Sequence, residues 1–131
     1  MRSPDFENDG WCLDDGEQRH QDAPKTFWLP DLTARMALKP GDYAKLIFRI
    51  AVESDEPESI ERMWVIVREC VPGGYVGMLD NDPDAIEENA EFWSGTELPF
   101  EYRHIIDVQS ANEKSLALAT APVPIPWEKS N

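Results

Sequence analysis

The feature that most narrows the fold is Pro72-Gly73-Gly74, set between two runs of β-type residues, Arg62 to Cys70 and Tyr75 to Leu79. Proline presets one backbone angle and glycine accepts a positive one, so the tripeptide reverses the chain where two strands meet. The first run places Met63, Val65 and Val67 on one face and Trp64, Ile66 and Cys70 on the other. A strand apolar on both faces is covered on both and belongs inside a sheet. Trp64 to Leu79 is therefore predicted as a hairpin. Upstream, Tyr43 to Val52 alternates Ala44, Leu46, Phe48 and Ile50 with Tyr43, Lys45, Ile47 and Arg49, the period of a strand with one buried face. A last strand is predicted near His104 to Val108.

Helical signals are few. Asp31 is placed to cap a short helix through Leu32, Met36 and Leu38, stopped by Pro40 and the Gly41-Asp42 turn. Asp82 or Asp84 is placed to cap a second from about Pro83 to Trp93, with Ile86, Ala90 and Trp93 as its stripe and Gly95 as its stop. The expected class is α+β: a small twisted antiparallel β-sheet or partly open SH3-like barrel with one or two short helices. At 131 residues the chain fits one domain. Residues 25–110 are expected to form a single β-rich domain. Residues 1–24, where Phe6, Trp11 and Leu13 show no period among acidic and amide side chains, read as a mobile acidic arm. Residues 111–131 read as an extended proline-rich tail, because Ala121 to Trp127 alternates proline with apolar residues.

Charge bounds the function classes. With 26 acidic and 12 basic side chains the net charge is -14, which disfavours nucleic acid and anionic membrane, both of which need positive potential on the protein. A basic protein partner is the complementary expectation. No run reaches the roughly 20 apolar residues of a spanning helix. The start, Met1-Arg2-Ser3-Pro4-Asp5-Phe6-Glu7, lacks a basic stretch followed by an apolar one, so the expected compartment is the cytoplasm. Cys12 and Cys70 stand in no metal or redox spacing, and Cys70 is expected as a small buried hydrophobe.

Several separate runs carry a resemblance: Thr26 to Pro30, Leu38 to Phe48, Glu61 to Val65, Gly77 to Pro83, and His104 to Asp107. Over about residues 26 to 108 these resemble the bacterial YegJ-like family, a domain of unknown function. The resemblance implies a small β-rich cytoplasmic module with no established activity. Such proteins pass more directly from Asn-Asp-Pro to the last strand, whereas Asp84 to Thr96 here reads as a helix. Some small acidic bacterial proteins of this general kind accompany secreted toxins as immunity partners, and that association supplies one form of the expected partner.

The residue pattern offers one tempting metal motif. Counted from Asp80, carboxylates fall at Asp80, Asp82, Asp84, Glu88 and Glu91, close to the ligand numbering of a calcium loop. Pro83 interrupts it and Ala85 stands where the sharp turn needs glycine, so no metal and no cofactor is expected. Asn81, Asp82 and Pro83 are read as a structural turn that starts a helix. For nucleophilic chemistry the chain offers Ser94, Cys12 and Cys70 with His20 and His104, with no motif that joins them. The leading expectation is a non-enzymatic binding surface of Glu53, Asp55, Glu56 and Glu58 with Asp80, Asp82 and Asp84. Trp11 and Trp127 are either partner contacts within that surface or anchors packed back on the core. The alternative expectation is a small-ligand binder or hydrolase-type enzyme with a pocket of aromatics and carboxylates.

Overall fold

The computed structural model describes residues 1–51, 58–80 and 94–127. Among the described residues six strands form one antiparallel sheet: β1 (Trp11–Leu13), β2 (Tyr43–Ala51), β3 (Glu58–Val71), β4 (Gly74–Leu79), β5 (Glu97–Glu101) and β6 (Ile105–Gln109). The order is β1-β2-β3-β4-β5, and β6 shares the β1 edge of β2: it pairs with Tyr43 to Leu46 while β1 pairs with Phe48 to Ile50. The sheet curls into a half-barrel, an α+β arrangement of the partly open SH3-like kind.

The curl has a local cause. β3 runs for 14 residues, its first part paired with β2 and its last part with β4, and its register against β4 slips between Val67 and Glu69. An extra residue in one strand bends it and increases its twist, so one long strand serves both walls. The β3–β4 reversal is as the sequence predicts. Val71 pairs with Gly74, Gly73 takes φ +82°, and a Cβ on Gly74 would stand 2.1 Å from the Phe100 carbonyl oxygen.

The predicted inner face of β2 holds, with Ala44, Leu46, Phe48 and Ile50 buried on the concave side beside Met63, Val65 and Val67 of β3 and Tyr75 and Leu79 of β4, but the other face is not left open, since Tyr43 and Ile47 are buried too. The convex side has its own cover. Tyr43, Ile66 and Met78 pack with Ala119 and Leu118 of α4 (Glu113–Thr120). Asn112 caps α4 by accepting from the Ser115 amide at 2.8 Å, and Arg68 of β3 holds its other end by donating to the Leu118 and Ala121 carbonyls.

Both ends of the chain depart from expectation. The mobile acidic arm is instead α1 (Phe6–Asp9), β1 and α2 (Gly16–Asp22). A three-residue strand is too short to show a period, and its order comes from the sheet: the Asp14 amide donates to Ile47 and the Ala51 amide to Gly10. The acidic residues that suggested disorder are caps, Asp5 accepting from the Glu7 amide and Asp15 from that of Gln18. The tail is extended only from Ala121, since α4 precedes it; Ile125 pairs with Thr96. The helix capped by Asp31 is α3 (Leu32–Met36), ending two residues before the buried Leu38. β5 goes unpredicted because Pro99 interrupts its pattern, which an edge strand tolerates. Glu58 and Ser59, read as loop, already pair with Ala51 and Ile50. Cys70 is exposed rather than buried, its thiol 3.6 Å from the Leu38 carbonyl oxygen. The predicted helix near Pro83 to Trp93 lies outside the described residues. Among the described residues no helix is long and apolar enough to cross a membrane.

Candidate functional site

Of the expected acidic surface, Glu58 and Asp80 are described, and both have partners. Arg49 donates to both carboxylate oxygens of Glu58 at 2.9 to 3.1 Å, a cross-strand pair next to the β2–β3 connection. Asp80 follows β4, its amide bonded to the Trp64 carbonyl at 3.0 Å and its carboxylate 3.8 Å from the Lys114 ammonium. Six residues of β3 separate Glu58 from Trp64, so at about 3.3 Å per residue the two carboxylates lie roughly 20 Å apart along the sheet. Glu53, Asp55 and Glu56 adjoin the first anchor in sequence, and Asn81, Asp82, Pro83 and Asp84 adjoin the second. All seven lie outside the described residues.

Trp11 and Trp127 do not belong to an open surface. They are 3% and 7% exposed, their rings meet edge to face at 5.7 Å, and Trp11 also packs on Phe48 at 5.9 Å. The Trp127 indole N–H donates to the Arg2 carbonyl at 3.1 Å and the Arg2 guanidinium covers its ring at 4.3 Å. Arg2 in turn donates twice to Asp9 at 2.7 Å, and those hydrogen bonds hold the Asp9 carboxyl below its ordinary range. The two tryptophans are the anchor of the earlier alternative: a seam that ties both chain ends to β2.

The same economy runs through the cations. Arg19 pairs with Asp14 at 2.6 Å and Arg35 with Glu17 at 2.6 Å, while Arg103 pairs with Asp15 and Glu101 at 3.2 Å. Arginines that neutralise carboxylates within the fold leave the remaining acid to set the outward field. Lys45 and Arg62 are different. They pack over the Trp64 and Phe27 rings at 5.5 Å and have no carboxylate within 4 Å among the described residues. With Trp28, 66% exposed, they line a shallow cleft of about 260 Å³ that the sequence reasoning did not single out. Its one readable sign is the aromatic pair Phe27-Trp28 just before Pro30.

The groups weighed for nucleophilic chemistry stand as follows. His20 Nδ1 lies 2.6 Å from the Phe27 carbonyl oxygen, as donor, and His104 Nδ1 accepts from the Glu101 amide at 2.9 Å. His104 is 5% exposed; burial, aided by the Arg103 charge, pushes it down to about 4, so it is neutral at pH 7. Burial raises the Cys12 thiol, and neither Cys12 nor Cys70 is hydrogen-bonded to a histidine. Among the described residues no group of three or more His, Cys, Asp or Glu side chains is arranged to hold a metal ion. Comparison with family models, curated proteins and solved structures gives no match.

Proposed function

We propose that the chain is a non-enzymatic interaction module whose acidic surface docks a basic protein partner. The observation that carries this reading is the fate of its charges: 26 carboxylate side chains face 12 cations, and arginines such as Arg19, Arg35 and Arg49 are bound to carboxylates within the fold. The uncompensated acid projects a negative field that accelerates encounter with a positive surface and repels phosphate-bearing partners. The spread of the Glu58 and Asp80 anchors, roughly 20 Å by strand rise, is on the scale of a protein interface of about 800 Å² per partner. In the immunity-type form of the proposal the partner is a basic toxin.

The test is kinetic. A partner captured from lysate of the source cell is purified and its association rate measured from about 20 to 500 mM salt. Steered encounter predicts a fall of at least tenfold over that range, with the dissociation rate changing far less. An association rate flat across the range contradicts the proposal.

A further inference from the structure

A cavity of about 560 Å³ lies where the β3–β4 turn meets the end of β5 and the 3₁₀ turn Tyr102–His104. Its walls mix apolar side chains, Pro4, Val71, Pro72, Pro99 and Phe100, with polar ones, Ser3, Glu101 and His104, and its volume falls within the range of small-molecule sites. Two side chains in its wall that carry a polar group are almost wholly buried, Tyr75 and His104.

The chemistry of that ring is fixed from one side. Nδ1 accepts the Glu101 amide proton, so the neutral imidazole carries its own proton on Nε2. Nε2 has no hydrogen-bond partner among the described residues, yet no enclosed side-chain nitrogen or oxygen there lacks one. Nε2 is therefore not enclosed, and His104 is one of the residues that line the cleft. A neutral donor, more than nine-tenths buried and held in one tautomer, thus lines the cleft with no hydrogen-bond partner among the described residues. The Tyr75 hydroxyl offers no competing donor, because it gives its proton to the Arg35 carbonyl at 2.7 Å.

We propose that this cleft is a small-molecule site for a neutral, partly apolar ligand that presents a carbonyl oxygen to Nε2–H of His104. A donor calls for an acceptor, and the wall made by Pro4, Val71, Pro72, Pro99 and Phe100 calls for a hydrocarbon or aromatic body. An anionic acceptor is disfavoured by the Glu101 carboxylate, half exposed on the cleft wall, and by the net charge of -14. This site is independent of docking to a basic partner, and the loss of either leaves the other standing.

Benzamide, benzoate and toluene, alike in size and different in the acceptor, are titrated into the isotope-labelled full chain and followed by NMR. Benzamide is expected to shift the Gly73, Gly74 and Glu101 amides and the His104 Nε2 resonance saturably. Toluene, with no acceptor, and benzoate, with a charged one, bind about tenfold more weakly, the worth of one hydrogen bond or one unfavourable charge. His104→Phe keeps a ring and removes the donor, so benzamide loses its advantage over toluene. Should that variant not fold, the Nε2 response of the unaltered chain decides. No saturable shift at the cleft with any probe, or equal binding of benzamide and toluene with Nε2 unmoved, overturns the proposal.

Discussion

Trp11 and Trp127 sit in stretches of acidic or proline-rich sequence and are buried; Trp28 sits in an aromatic run beside the core and is exposed. Local composition thus does not decide which of the three is buried. What decides burial is whether the backbone beside the ring finds a sheet partner. β1 pairs with Phe48 to Ile50 and Ile125 bridges to Thr96, which carries the two terminal indoles onto the concave face. Trp28 precedes Pro30 in a segment without a strand, and its ring is left over a cleft flanked by Lys45 and Arg62.

The largest expected effect lies in the seam. Trp11→Ala leaves a cavity against Phe48 and Trp127 and is expected to cost about 3 to 5 kcal/mol in urea unfolding. Combined with Trp127→Ala, the two are expected to be non-additive by about 1 kcal/mol, the coupling of an edge-to-face pair. A cost below about 1 kcal/mol for Trp11→Ala would break the comparison, since the seam would then be no more structural than the Trp28 face.

His104 gives the next effect, and its direction follows from where the proton goes. Its pKa falls from 6.5 to about 4 on folding, so between those values the unfolded chain binds a proton that the folded chain refuses. The stability tied to the neutral ring is complete above about pH 6.5 and is lost as pH falls towards 4, by on the order of 3 kcal/mol. Wild type and His104→Phe, unfolded in urea at pH 7 and pH 4, are expected to differ in their acid loss by about that amount, wild type losing more. Parallel losses would show that the ring is not held neutral.

Legibility in the sequence divides along the same line. The hairpin at Pro72-Gly73-Gly74, the alternation of β2 and the Asp31 cap were readable because each is written within ten or so neighbouring residues. β1, β5 and the seam were not. Three residues of β1 carry no period, Pro99 masks β5, and the pairing of Trp11 with Trp127 joins positions 116 apart in number. Asp5 and Asp15 fall in the stretch read as a mobile arm and Asn112 in the one read as an extended tail, because a cap is recognisable only when the helix after it is; α1, α2 and α4 are too short or too weakly patterned to announce themselves. The candidate site was legible in its charges and not in its placement. The ring contacts of Lys45 and Arg62, and the His104 nitrogen that has no hydrogen-bond partner among the described residues, rest on contacts that no spacing encodes.

Smaller effects sharpen the contrast. Asn112→Ala removes the α4 cap and is expected to cost about 1 kcal/mol, seen as an earlier urea midpoint with an unchanged slope. Trp28→Ala is expected to change stability by less than about 0.5 kcal/mol, because an exposed ring loses little on truncation. A cost comparable to Trp11→Ala would place Trp28 in the core and erase the difference between the two regions.

The proposed docking surface rests on carboxylates rather than on either set of tryptophans. Replacing Glu53, Asp55, Glu56, Glu58, Asp80, Asp82 and Asp84 by their amides removes seven charges with little change of volume, and Asn serves as a helix cap as well as Asp does. The association rate of this variant with the captured basic partner, measured at low salt beside its melting temperature, tests the account most directly. The predicted result is a rate at least tenfold slower with melting changed by only a few degrees. A rate equal to that of the unaltered chain would contradict it.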